Sequence, residues 1–520
     1  MRKFFLSIAA LVLAALAVFF IYQINLQPAK PEGEVVLQNG ARLVWQDCWF
    51  SAPEYVHCAR LHTAPEQGKE QGGKKKSSFS LPVVVLRYRG FDRKTDPVLY
   101  MAGGPGSSAG LAENEISYWL GWFQKARLQR DLVLFDQRGA GLSEPRLGCP
   151  EYRQAVREGF IHNLSTEEKT QHTHAALKRC YQRMEKQGLP INELSTLYSA
   201  ADVRDLMDAL GYPAWNLQGV SYSTRLATVI EQKNPGKVRS MVLDSVYPVQ
   251  KHFFQEWPTL LDASLKKIFV YCDSRDTCKK EHGNIKTKFW ETVSELKENP
   301  LKIKVSDPSL GLSEVIFNDE TFIDFLFDNQ YESGSLNDLP AVIDAFYHRE
   351  SDLLKDYILD FLQSRLQDSI SEVVFRAIEC IDNPPVDEKT MATIYDKYPK
   401  LKPYLFVDYD ACKMWEKQIK NQGINKLTKK SEVPVLILSG EDDPVTPISW
   451  VDDVLNQYPH SEFFSFPNIS HSVMDRMPCA IELYSQFLKD PSIRPTADCR
   501  KPLSRVSESS EPEEQADIPQ

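Results

Sequence analysis

The sequence predicts an α/β fold: a mostly parallel sheet with helices on both faces and a large helical cap insertion. Three observations predict it. Short apolar runs recur at residues 42–46, 81–88, 98–101, 132–135, 215–218, 241–243, 433–438 and 463–466. Several are continuous rather than alternating, which suits strands covered on both faces. Helical periodicity lies between them, at 201–210 and 224–232, and this alternation marks an α/β sheet. From 247 to 430 helical spacing takes over, as in Leu353, Leu354, Tyr357, Ile358, Phe361 and Leu362, and no strong strand run interrupts it.

A chain of 520 residues has room for one large domain with a sizeable insertion. Its net charge of −10 argues against a nucleic-acid partner, which needs a basic face. The one basic run, Lys74-Lys75-Lys76, reads as a solvated loop. At the N-terminus, Arg2 and Lys3 precede an apolar run over 4–22. As a helix it spans about 28 Å at ~1.5 Å per residue, close to a bilayer's hydrocarbon thickness. The basic end stays cytoplasmic, so the rest is exported, to a bacterial periplasm or cell envelope. Ala15-Leu16-Ala17 offers a cleavage site, so both a retained membrane anchor and a cleaved signal are open. The predicted organisation is a signal or anchor with linker (1–32), a first core part (33–246), a helical cap (247–430), a second core part (431–500) and a disordered acidic tail (501–520).

Ten cysteines in an exported chain point to disulfides. Spacing suggests neighbour pairing: Cys48 with Cys58, Cys149 with Cys180, Cys272 with Cys278, Cys380 with Cys412, and Cys479 with Cys499. No two-plus-two spacing with histidines suggests a metal site.

Gly219-Val220-Ser221-Tyr222-Ser223 follows a strand-like run and opens a helix, the setting of a nucleophile elbow. Ala102-Gly103-Gly104-Pro105-Gly106 follows an earlier strand. Such a loop supplies preorganised N–H groups to an oxyanion. Pro105 has no N–H, so Gly104, ahead of Gly103, is the expected donor beside Tyr222. Glu441, Asp442 and Asp443 compete for the role of acid after the strand at 433–438, with Asp244 an outside candidate. His471 follows the last strand, and the order serine, acid, histidine is that of α/β-hydrolases.

These motifs resemble the α/β-hydrolase peptidases of the proline iminopeptidase family, nearest the secreted tripeptidyl-aminopeptidase branch. The resemblance rests on Gly103-Gly104-Pro105-Gly106, on Asp136-Gln137-Arg138-Gly139-Ala140-Gly141-Leu142-Ser143 and on Leu147-Gly148-Cys149-Pro150-Glu151. It continues through the elbow to Arg225, Val242-Leu243-Asp244, the stretch from Gly440 to Pro447, and Pro478-Cys479 with Cys499. It covers roughly 41–500, weakly in the cap. It makes Asp443 the expected acid. The chain departs from the family at Ser223 and Ile469, where glycine is usual, and at Ala102, where histidine is frequent. Asp136 and Arg138 read as a charged pair fixing a turn.

The resemblance implies a serine exopeptidase with a Ser221–His471–Asp443 triad, releasing short peptides or single residues from free N-termini without a cofactor. Glu379 and Asp382, acids among apolar residues of the cap, are its candidates for holding the substrate ammonium; pairing of Glu379 with Arg376 is the structural alternative. An esterase or lipase on the same fold, and a non-catalytic binding module, are the competing expectations.

Overall fold

The computed structural model describes residues 31–64, 70–71, 74–75, 79–305, 307–367, 369–406, 409–419, 423–497 and 499. The apolar N-terminal run, Lys76 of the basic run and the acidic tail lie outside them. Among the described residues no helix is long and apolar enough to cross a membrane.

Ten strands form the main sheet: β1 Glu34–Val36, β2 Arg42–Gln46, β3 Val56–His62, β4 Ser80–Leu86, β5 Val98–Met101, β6 Leu132–Phe135, β7 Trp215–Val220, β8 Val238–Asp244, β9 Val435–Gly440 and β10 Ser461–Phe466. Their spatial order is β1-β2-β3-β4-β6-β5-β7-β8-β9-β10. The pairs from β1 through β4 to β6 are antiparallel, and those from β6 through β5 to β10 are parallel.

The apolar runs are continuous because both faces are covered. Within β4, Val83 and Val85 join one core cluster while Val84 and Leu86 join another on the opposite face. Leu436 and Ile437 of β9 divide the same way. Strand β3 is absent from the sequence reading because His57, Arg60 and His62 break its apolar pattern. It nonetheless pairs with β2 and β4, and its first four residues are buried.

The segment from 247 to 430 is mainly helical, including Phe253–Asp273, Ile285–Glu298, Asp319–Asn329, Lys355–Leu366 and Glu372–Asp382. It has its own apolar core, which Phe160 also enters. Two points correct the sequence reading. Leu301–Lys304 and Glu314–Phe317 form an antiparallel pair inside this segment. The first strand alternates buried Leu301 and Ile303 with exposed lysines, too short a pattern to register. Leu353 is 65% exposed, because it lies in a 3-10 turn before the helix whose Ile358, Phe361 and Leu362 are buried. The helix Glu372–Asp382 packs not on that core but on the main one, through Val373, Val374, Ala377, Ile378 and Ile381.

The ten cysteines are joined as Cys48–Cys58, Cys149–Cys180, Cys272–Cys278, Cys380–Cys412 and Cys479–Cys499. Lys74 and Lys75 form a two-residue strand paired with Glu70–Gln71.

Candidate active site

Ser221 sits between β7 and the helix Tyr222–Lys233 with φ 57° and ψ −124°. A non-glycine residue held there is strained, and the surrounding structure must enforce it. Gly219 is part of that enforcement. A Cβ on it would lie 2.4 Å from the Ser223 carbonyl oxygen, so strand and helix cross too closely for any side chain. The Ser221 N–H donates to the Asp244 carbonyl at the end of β8 (2.9 Å). Its hydroxyl has no hydrogen-bond partner among the described residues.

The glycine loop after β5 reaches the elbow directly. A Cβ on Gly103 would lie 3.1 Å from Ser221 Cβ and 3.7 Å from its Oγ. Gly104 has φ 102°, open to glycine and strained for other residues. The loop is fixed from two sides. Asp136 accepts from Ala109 N–H and Leu142 N–H, both at 2.7 Å. The Ser371 N–H, from the insertion, donates to the Gly106 carbonyl at 3.0 Å.

Ser223 takes a defined place in this frame. Its hydroxyl donates to the Ala102 carbonyl, which also accepts from Gln137 Nε2 at 2.8 Å. The serine therefore ties the elbow helix to the loop instead of loosening them. Ile469 is buried in the core with Leu436 and Leu438. Its carbonyl accepts the Asp442 N–H at 2.9 Å.

The three acids point in different directions. Glu441 accepts from Ser465 at the surface (2.9 Å), and Asp442 faces Lys267 at 4.0 Å. Asp443 turns inward, 2% exposed, and its Oδ2 lies 2.8 Å from His471 Nδ1. Its other oxygen accepts the Val445 and Thr446 N–H groups at 2.9 and 2.8 Å. The Thr446 hydroxyl donates to Oδ2 at 2.7 Å. Burial pushes the Asp443 carboxyl up, but the His471 charge and these hydrogen bonds outweigh it and hold it below its ordinary value. For His471 burial pushes down, while Asp443 first, then Asp244 and Asp475, raise it above its ordinary value. With Nδ1 donating to Asp443, Nε2 is left to accept a proton.

Asp244 does not touch His471. It accepts the Val473 and Met474 N–H groups at 2.9 and 2.8 Å, anchoring the chain just after the histidine, and burial pushes it up to about 6. Arg138 is bidentate to buried Asp202 at 2.7 and 2.6 Å and donates to the Glu193 carbonyl at 2.8 Å. Together with Asp136, it fixes loop geometry. Sequence reasoning missed Thr446 as a partner of Asp443, although it lay within the quoted motif. It also missed Tyr331, whose ring meets His471 edge-on at 5.5 Å and which carries no sequence signal.

Glu379 and Asp382 lie on the inner side of their helix. Arg376 pairs with Glu372 at 2.6 Å, not with Glu379. Glu379 accepts from Tyr247 OH at 3.2 Å and Asn383 at 2.7 Å, and burial pushes it up to about 7. Asp382 accepts from the Thr196 hydroxyl, and burial pushes it up to about 6. Its Oδ1 is buried without a partner. Thr196 also meets Tyr222 OH at 2.7 Å, so this acid pair lies behind the elbow. A cavity of about 780 Å³ lies beside the site, lined by Tyr331, Phe375, Arg376 and Cys380 among others. Among the described residues one trio of possible metal ligands lies close together, Cys149, Glu151 and Cys180, and its two sulfurs are joined to each other.

The sheet order and the placement of Ser221, Asp443 and His471 after β7, β9 and β10 define an α/β-hydrolase. Residues 96–269 match the alpha/beta hydrolase fold family, and residues 398–499 match the TAP-like protein family. The chain has the α/β-hydrolase fold, and its C-terminal part is similar to the TAP-like proteins. It is 23% identical to a tripeptidyl aminopeptidase of Streptomyces lividans over 427 residues, 78% of this chain and 76% of that protein. It is 22% identical to the serine protease Hip1 of Mycobacterium tuberculosis over 505 residues, 86% of this chain and 88% of that one. Among solved structures, a proline iminopeptidase of Mycobacterium smegmatis is 12% identical with a TM-score of 0.37, over 80% of this chain and 96% of that one.

Two predictions follow from this geometry. In an NMR titration His471 loses its proton above the ordinary histidine value of 6.5, and Asp443→Asn moves the midpoint down. Because the folded value is raised, the pair's contribution to stability is full below the unfolded histidine pKa and fades as pH rises through the folded one. A midpoint at or below 6.5 in the unmodified protein contradicts the assignment. Second, Ser223→Gly loses the bond to Ala102 and adds a flexible residue to the helix, costing about 1–2 kcal/mol. Thermal or urea denaturation measures this, and an unchanged midpoint refutes the tie.

Proposed function

We propose that the chain is an exported serine exopeptidase that removes single residues or short peptides from free N-termini by an acyl-enzyme route. The observation that carries this reading is the buried Asp443–His471 pair at 2.8 Å on the same sheet edge as the strained Ser221. The two relatives named as an aminopeptidase and a serine protease give it its peptide substrate.

In this reading His471 Nε2 takes the Ser221 proton as Oγ attacks the scissile carbonyl. That hydrogen bond closes in the substrate complex, as in many unliganded hydrolases. The N–H groups of Tyr222 and Gly104 hold the oxyanion, helped by the helix N-terminus that begins at Tyr222. His471 then protonates the leaving amine and activates the water that frees the acyl group. This chemistry needs no metal or organic cofactor.

Ammonium recognition is assigned to Glu379 and Asp382. Support comes from their burial and from the orphaned Asp382 Oδ1, although neither lines the cavity. Export to a bacterial periplasm or envelope, secreted or held by the N-terminal run, is supported by the five disulfides, which persist in oxidising compartments.

A fluorophosphonate probe is expected to label the wild type, and Ser221→Ala to abolish labelling. Free-amine peptide anilides are expected to turn over faster than N-blocked ones. A folded wild type that stays unlabelled sinks the enzyme reading, and turnover of p-nitrophenyl esters alone sinks the peptidase reading. Asp382→Asn is expected to raise KM for free-amine peptides about tenfold, the loss of one charged partner. For the wild type, that KM rises as pH falls through about 7 and 6, where Glu379 and Asp382 lose their charge. An unchanged KM with a lowered Tm makes Asp382 structural.

A further inference from the structure

Resting on the peptidase reading, a second feature of the cavity speaks to which peptides enter it. Five aromatic rings run in sequence around its wall from the histidine. Tyr331 meets His471 at 5.5 Å, and Phe327 meets Tyr331 at 6.1 Å. Trp257 meets Phe327 at 4.8 Å, and Phe253 meets Trp257 at 6.2 Å. Phe375 closes the series at 6.3 Å from Phe253. All five line the cavity of about 780 Å³. Its other end comes near the glycine loop, where Ile370 of the lining bridges Ser107. Val374, next to Phe375, packs where a Cβ on Gly106 of the glycine loop would come within 3.2 Å of it.

Four acids of the lining are already paired. Glu320 is held by Lys169, Asp324 faces Arg365 at 3.8 Å, Glu372 pairs with Arg376 at 2.6 Å, and Glu332 pairs with Arg476 at 2.8 Å. These acids meet protein cations rather than open space. The rings have no such saturation. Phe253, Trp257, Tyr331 and Phe375 are only partly buried, and the cavity covers what the protein leaves open. An apolar occupant gains by covering those faces, while a charged one set against the rings loses water without gaining a partner there. Aromatic pairs add their own orientation preference.

We propose that this aromatic arc is the acyl-side subsite. It selects peptides whose residue before the scissile bond is aromatic or large and aliphatic, against those carrying a charge there.

The test uses free-amine tripeptide coumarin amides with Phe, Leu, Glu or Lys before the scissile bond, and p-nitrophenyl acetate with the wild type alone. The wild type is expected to show kcat/KM at least about tenfold higher for Phe and Leu than for Glu and Lys. Trp257→Ala is expected to shrink that ratio severalfold, and Trp257→Phe to restore it. Phe253→Ala reads the same ratio if Trp257→Ala does not fold. A merely structural lesion lowers all four substrates together and leaves the ratio intact, which overturns the proposal. So does a wild type with equal rates or a charged preference. A wild type that hydrolyses the coumarin amides without an apolar preference fails this proposal alone; one that hydrolyses only the acetate fails the peptidase reading, one that hydrolyses nothing fails the hydrolase reading, and either takes the proposal with it.

Discussion

The close crossing of β7 and the helix Tyr222–Lys233 governs the site. With no room for a side chain at Gly219, the chain must turn within Ser221 itself. That turn gives the serine its positive φ, lifts its hydroxyl off the sheet and aims the helix N-terminus at the same spot. It also sets what the neighbouring loop can be. Gly103 comes so near Ser221 that a side chain there would press on the hydroxyl-bearing carbon. Ser223, the second residue of the helix, then has the Ala102 carbonyl within reach. The strain at one residue is thus held by packing at three others.

Around the histidine, burial and charge oppose each other. Taking an imidazole out of water favours its neutral form, and taking a carboxylate out of water favours its protonated form. Both penalties fall on His471 and Asp443. They are offset because Asp443 accepts two backbone N–H groups and the Thr446 hydroxyl, leaving it charged, and that charge then supports the imidazolium. Asp244 adds to this field without touching the ring, since its oxygens are taken by Val473 and Met474 N–H. The geometry favours a histidine that can hold a proton during turnover.

The sheet and its reacting loops were legible because close contacts need particular residues. Gly219, the loop at 103–106 and Gly440, where a Cβ would lie 2.1 Å from the Ser470 carbonyl oxygen, all register as motif positions. The buried strands register as apolar runs for the same reason of two-sided cover. Strand β3 did not, because its polar side chains find partners that no local pattern announces: Arg60 pairs with Glu144 at 3.1 Å. The insertion was legible only as helical. Its contacts with the site include those of Tyr331, Ser333 and Ser371, which have no spacing to read. The choice of Asp443 among three neighbouring acids came from resemblance, while the physical reason, the inward turn secured by Thr446, is a matter of three dimensions.

The insertion reaches the glycine loop, the acid loop and the loop that carries His471. Ser371 N–H binds the Gly106 carbonyl, and Ser107 bridges Ile370, on the glycine loop. Lys267 donates to the Glu441 carbonyl and faces Asp442, on the acid loop. Ser470 N–H donates to Ser333 Oγ at 3.0 Å, and its hydroxyl to the Gln330 carbonyl, beside His471. A lid that only excluded water would touch a rim, and these are hydrogen bonds to the backbone of the loops themselves. The helix Glu372–Asp382 adds a stronger tie, since its apolar face belongs to the main core. The insertion is therefore a structural part of the candidate site, and changes in its packing will be felt at the three loops.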